Sequence, residues 1–245
     1  MKILFKIVLL LGLVCTGVTP AAQTIPVPKP NPNASGSNAE EKPAKVETRV
    51  YQSACPAVLE GLAEVTLLPP ISDNQCGERS PLEVKSISGI KLSSPAVLNC
   101  RMTTTLAKWI EDANTEARLI MGAEISGIVS STSYQCRRRN NKPEGKISEH
   151  GFANALDISG FSLANGKQIM LIADWPVGEA KAAEEPDTTG NTAPSQELRF
   201  LKAVHSRACE HFMTVLGPES DPYHTDHFHL DLGCHGKTCS YRICE

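Results

Sequence analysis

The sequence predicts an α+β domain in which a small antiparallel sheet is flanked by two main amphipathic helices and stapled by disulfides. Three observations point there. Two long segments repeat apolar residues at steps of three and four, short segments between and after them have the length or the period-two alternation of strands, and the chain holds 9 cysteines. With 245 residues, 41% of them hydrophobic, the chain can bury a core. A net charge of -3 and 5% aromatic content argue against nucleic acid as a partner, because that role calls for a basic surface with stacking platforms.

Lys2 and Lys6 bracket the start of an apolar run over residues 7–15, and Thr19-Pro20-Ala21-Ala22 follow. That run is shorter than the ~20 residues a membrane-spanning helix needs. Residues 1–22 therefore read as a secretory signal peptide, cleaved near Ala21 or Ala22, with no permanent membrane span afterwards. Residues 23–49, rich in proline and polar residues and without apolar periodicity, read as a disordered linker. Residues 50–245 read as one domain, exported to the periplasm or secreted. Cleavage would remove Cys15 and leave Cys55, Cys76, Cys100, Cys136, Cys209, Cys234, Cys239 and Cys244. An even set in an oxidising compartment implies disulfides, with the connectivity open. The alternative, a zinc knuckle from Cys234, His235, Cys239 and Cys244, lacks the close cysteine spacing such sites use.

Within the domain, Met102, Leu106, Trp109, Ile110, Ala113, Ala117 and Ile120 place a helix over residues 98–122. Leu198, Leu201, Val204, Ala208, Cys209 and Phe212 place another over 197–216, with Ser195 as cap and Gly217-Pro218 as stop. Strand-sized segments cover 125–134, 155–161 and 168–174, the last two joined as a hairpin through Asn165-Gly166. Residues 178–194, poor in apolar side chains, read as an exposed loop.

Two segments carry the candidate chemistry. As a strand, Asp226-His227-Phe228-His229-Leu230-Asp231-Leu232 sends His227, His229 and Asp231 to one face and Phe228, Leu230 and Leu232 to the other. Upstream, Ser148-Glu149-His150-Gly151-Phe152-Ala153-Asn154-Ala155-Leu156-Asp157 puts a loop histidine beside a strand carboxylate. His150, Asp157 and one later histidine would give a divalent metal three protein ligands and leave a fourth position for water, the catalytic arrangement for zinc.

The two segments resemble the zinc metallopeptidases grouped with lysostaphin, D-alanyl-D-alanine carboxypeptidases and sonic hedgehog. That resemblance implies one Zn2+ held by His150, Asp157 and His229. Ser148 and Ala155 fit the carboxypeptidase form of the motif, whereas Ala153 stands where that form has glycine. His224-x-x-His227-x-His229 is most similar to the penicillin-insensitive murein endopeptidases, which implies that His227 is a base or transition-state stabiliser and that His224 orients substrate. Arg137, with Tyr134, lies where carboxypeptidase relatives bind a substrate carboxylate. Cys136 reads as a disulfide anchor that fixes Arg137 rather than as a nucleophile. More broadly, residues 55–244 resemble the bacterial extensin-like C-terminal domain family through Tyr134-x-Cys136-Arg137-x-Arg139-Asn140, Ser148-Glu149-His150, Ala155-Leu156-Asp157, residues 214–218 and His224-x-Asp226-His227-Phe228-His229.

The expectation is a periplasmic zinc peptidase acting on peptide stems or cross-links of peptidoglycan. A domain that binds cell-wall material without cutting it is the alternative, and a protein that sequesters metal through residues 224–229 is a third.

Overall fold

The structure is a computed structural model that describes residues 55–177 and 194–245. The expected signal peptide, the linker and nearly all of the 178–194 loop lie outside the described residues. The chain starts with a short helix α1 (Pro56–Leu59), followed by β1 (Ala63–Leu67), β2 (Ile71–Asp73), β3 (Cys76–Glu78), β4 (Leu82–Ile87) and β5 (Ile90–Leu98). Helix α2 (Cys100–Glu116) leads into β6 (Ile125–Ser130), then β7 (Ala155–Leu163), β8 (Gln168–Met170) and the one-turn α3 (Leu171–Asp174). The chain ends with α4 (Gln196–His211), β9 (Thr214–Leu216), β10 (Phe228–Asp231) and β11 (Ile243–Cys244).

The fold is α+β, but its sheet is neither small nor wholly antiparallel. Nine strands run in the order β1-β4-β5-β6-β7-β10-β9-β11, with β8 paired to β7, and β2-β3 forms a separate hairpin. The β5/β6 and β9/β11 pairs are parallel. The first of these follows from the connection: a parallel pair needs a crossover, and α2 is the crossover between β5 and β6. The β7-β8 hairpin turns at Gly166, whose φ of 87° suits glycine.

Helix α2 starts where the sequence places it, because the Asn99 side chain accepts the Met102 N–H at 2.8 Å. A π turn over Ala117–Met121 extends it to Gly122, which stops it with φ 68°. Helix α4 has the expected Ser195 cap but leaves the helix at Phe212, short of residue 216. Thr214 and Val215 are β-branched and pair with β10 instead, so the helix ends before them.

Both helices cover one face of the sheet. Trp109 of α2 donates its Nε1–H to the Val204 carbonyl of α4 at 3.1 Å, and its ring packs 6.3 Å from Phe161 of β7 and 6.1 Å from Phe212. Leu156, Ile158, Val215, Phe228 and Leu230 join this core. Their alternation sends Asp157, Thr214, Leu216, His229 and Asp231 to the opposite face, where a cleft opens. The eight cysteines among the described residues pair as Cys55–Cys100, Cys76–Cys136, Cys209–Cys244 and Cys234–Cys239.

Candidate metal centre

Register builds the site. β10 runs antiparallel to β7 with His229 opposite Asp157, so an imidazole and a carboxylate come together on the face away from the helices. His150 reaches the same point from a 3-10 turn, Glu149–Phe152, that precedes β7. The turn is anchored on both sides. Asn99 at the start of α2 donates its backbone N–H to the Ala153 carbonyl at 2.7 Å, and a Cβ on Gly151 would come within 2.7 Å of Cys76 Sγ. The Cys76–Cys136 disulfide is therefore packed directly beneath the turn that carries His150.

His150 Nε2, Asp157 Oδ1 and His229 Nδ1 form a triangle with sides of 3.2, 2.9 and 3.2 Å. All three residues are buried. Zinc bonds of ~2.0–2.1 Å in tetrahedral geometry put neighbouring ligand atoms about 3.3 Å apart, so the three donors fit that ion without rearrangement. The outer nitrogens fit it as well. His150 Nδ1–H donates to the Ser133 carbonyl at 2.6 Å, and His229 Nε2–H donates to Asp231 Oδ2 at 3.0 Å. Each ring thus has its proton drawn to the far side and turns its other nitrogen to the common point, as metal-binding histidines do.

The electrostatics reflect this crowding. Burial would raise the Asp157 carboxyl, but hydrogen bonds and charge from His150 and His229 hold it well below the usual carboxylate range. Burial would lower the His229 imidazole, yet the carboxylates of Asp157 and Asp231 outweigh it and push it up to about 9. Asp231 is held down despite its burial, first of all by its hydrogen bond from His229. The cluster attracts positive charge. A proton on His229 Nδ1 meets that demand in part, and a divalent cation meets it in full.

Beside the triangle, His227 Nδ1–H donates to Asp226 Oδ1 at 2.7 Å, and its Nε2 lies 3.9 Å from Asp157 Oδ1. His224 Nδ1–H donates to Asp221 Oδ1 at 2.8 Å. Burial lowers the His224 imidazole against the opposing pull of Asp221, so the ring is neutral near pH 7. The His224 and His227 rings lie 5.2 Å apart.

Asp157, His224, His227 and His229 line a cleft of about 430 Å³ together with Arg137, Arg139, Asn140 and Asn141, whereas His150 is fully buried and outside that lining. Arg137 is steadied by donating its Nε–H to Gln135 Oε1 at 2.9 Å, and its neighbour Cys136 is disulfide-bonded. Tyr134 is not among the cleft-lining residues. Its hydroxyl is shielded without a hydrogen-bond partner among the described residues, and burial, followed by the charge of Asp73, raises it. Glu149 also lines the cleft, where it accepts from Asn154 Nδ2 at 2.8 Å and lies 3.8 Å from Arg139. The cysteines of the alternative zinc knuckle are consumed, since Cys234 pairs with Cys239 and Cys244 with Cys209.

Sequence reasoning assigned no role to Arg139, Asn140, Asn141, Thr214 or Tyr223, all of which line the cleft. The signal for Asp231 was present, because it falls two residues after His229 on the same strand face. Asn140 and Asn141 have φ of 54° and 52°, a conformation asparagine tolerates better than most residues.

No curated protein and no solved structure matches the chain. A family model described as Extensin-like protein C-terminus matches residues 53–245, all of the domain just described, and the chain belongs to that family.

Proposed function

We propose that the cleft is the active site of a zinc peptidase that cuts peptide stems or cross-links of peptidoglycan in the cell envelope. The observation that carries this reading is the convergence of His150 Nε2, Asp157 Oδ1 and His229 Nδ1 within 3.2 Å of one another, with Asp157 and His229 lining an open cleft. Two protein imidazoles and a carboxylate leave room for solvent in a four-coordinate site. When bound, zinc supplies Lewis acidity, polarising a scissile carbonyl and lowering the pKa of water towards ~7.

The chain's own residues divide the remaining work. His227, with Nδ1–H held by Asp226, is left with Nε2 to take a proton from the attacking water and return it to the leaving amine. Neutral His224, fixed by Asp221, offers Nε2 as an acceptor that orients a substrate N–H. Arg137 and Arg139 give an otherwise acidic protein a local positive wall, suited to the carboxylates of stem peptides. Four disulfides agree with an oxidising compartment such as the periplasm. Among the described residues no helix is long and apolar enough to cross a membrane.

Digestion of purified cross-linked peptidoglycan by the zinc-loaded protein, followed by mass spectrometry of the fragments, tests the reading. New muropeptide fragments are expected, and they should disappear with His227→Ala while metal is retained. A profile unchanged by loaded wild-type protein would leave the non-catalytic cell-wall binder as the better account.

A further inference from the structure

The buried carboxylate of Asp231 stands behind His229, with Thr214 as its cross-strand partner and His235 hydrogen-bonded to Thr214, and we infer that Asp231, Thr214 and His235 are positioning residues that fix which nitrogen of His229 faces the metal. The inference rests on the metal reading above and adds to it the groups that set the ligand. Donor and acceptor roles follow from chemistry alone. A carboxylate only accepts, so Asp231 takes the His229 Nε2–H at 3.0 Å and the Gly233 N–H at 2.8 Å. Thr214 Oγ1 is in turn hydrogen-bonded to His235 Nε2 at 2.7 Å. Strand register makes the inner part rigid, because Thr214 of β9 is the direct cross-strand partner of Asp231.

The outer end is held differently. His235 follows β10 in a loop that the Cys234–Cys239 disulfide closes over a separation of 5 residues. Both of these cysteines are exposed, whereas each of the other three bonds has at least one partner that is partly or fully buried. The small ring encloses no core. What it holds in place is His235 on Thr214. The consequence for His229 is a fixed tautomer: with Nε2–H committed to Asp231, only Nδ1 has a lone pair to give, and it points to the atoms of His150 and Asp157.

The test is a titration of the metal-free protein with Co2+, reading affinity and the d–d absorption, with Zn2+ affinity measured by competition. Wild type should take up one Co2+ with an absorption band typical of four-coordination. Asp231→Asn should weaken binding by about 10- to 100-fold. Thr214→Val, His235→Gln and the double replacement Cys234→Ser with Cys239→Ser should weaken it in the same direction by less, while Thr214→Ser, which keeps the hydroxyl, should bind as wild type does. Thermal unfolding of each metal-free variant checks folding. If Asp231→Asn does not fold, the half-buried His235 decides through His235→Gln. Normal wild-type binding with affinity and spectrum unchanged in Thr214→Val and His235→Gln would overturn this inference and leave the metal site standing. Failure of wild type to bind either ion would overturn the metal reading, and this inference with it.

Discussion

At Ala153 the backbone takes φ 51° in a fully buried position just after the His150 turn, a conformation that glycine adopts without steric cost. An L-residue in this conformation costs about 1–2 kcal/mol. Ala153→Gly would relieve that strain but gain about 0.5–1 kcal/mol of unfolded-state freedom and lose a buried methyl. Stability measured by urea unfolding should therefore change by less than about 1 kcal/mol. Ala153→Val adds a branched side chain to the same strained backbone and should cost about 2 kcal/mol or more. A costless valine would mean that the left-handed turn does not hold in solution. The same scale governs His229, whose Nε2–H is held by Asp231, two residues on along the same strand face.

At the level of elements, the cleft exists because β7 and β10 pair in one register, and because the Cys76–Cys136 bond ties the β2-β3 hairpin to the segment before the His150 turn. Replacing both cysteines with serine should lower stability by about 2–5 kcal/mol and weaken metal binding, read by denaturant unfolding and by zinc competition. Unchanged metal affinity would show that the turn needs no such brace. Much of this was legible in sequence. The alternation of residues 226–232 gave the face of each side chain, and the steps of α2 gave its buried stripe. The strands before α2 were not legible. β5 contains Pro95, and β4 has an irregularity between Val84 and Ser86 that breaks the period of two. Those strands widen the sheet beyond the small one expected. The end of α4 was misjudged because the helical spacing continues past Phe212, and only pairing with β10 decides against it. Disulfide partners depend on the folded chain and could not be read from spacing.

For the whole molecule, buried histidines set the dependence of stability on pH in opposite senses. Burial beside Trp175 and Phe228 lowers His205, partly offset by its hydrogen bond to the Glu245 carbonyl. Its folded pKa lies below the ordinary ~6.5, so the unfolded chain takes up the proton first. The stability that neutral His205 and His224 provide is present above pH ~6.5 and lost as pH falls through their folded values. His229 has the opposite sign in metal-free protein. Raised to about 9, it stabilises fully below pH ~6.5, and that contribution is lost as pH rises through about 9. Chemical denaturation from pH 5 to 9.5 should thus give metal-free protein a maximum near pH 6.5. His205→Asn should flatten the acid limb, and zinc, by replacing the His229 Nδ1 proton, should flatten the alkaline one. An alkaline limb unaffected by zinc would mean that the ion binds somewhere other than His229.

The central claim is that His150, Asp157 and His229 hold one divalent ion between them. Zinc content of the purified protein, measured beside that of His229→Ala prepared identically, tests it most directly. The account expects one zinc per chain in wild type and almost none in the variant. Equal, substoichiometric zinc in both proteins would contradict it.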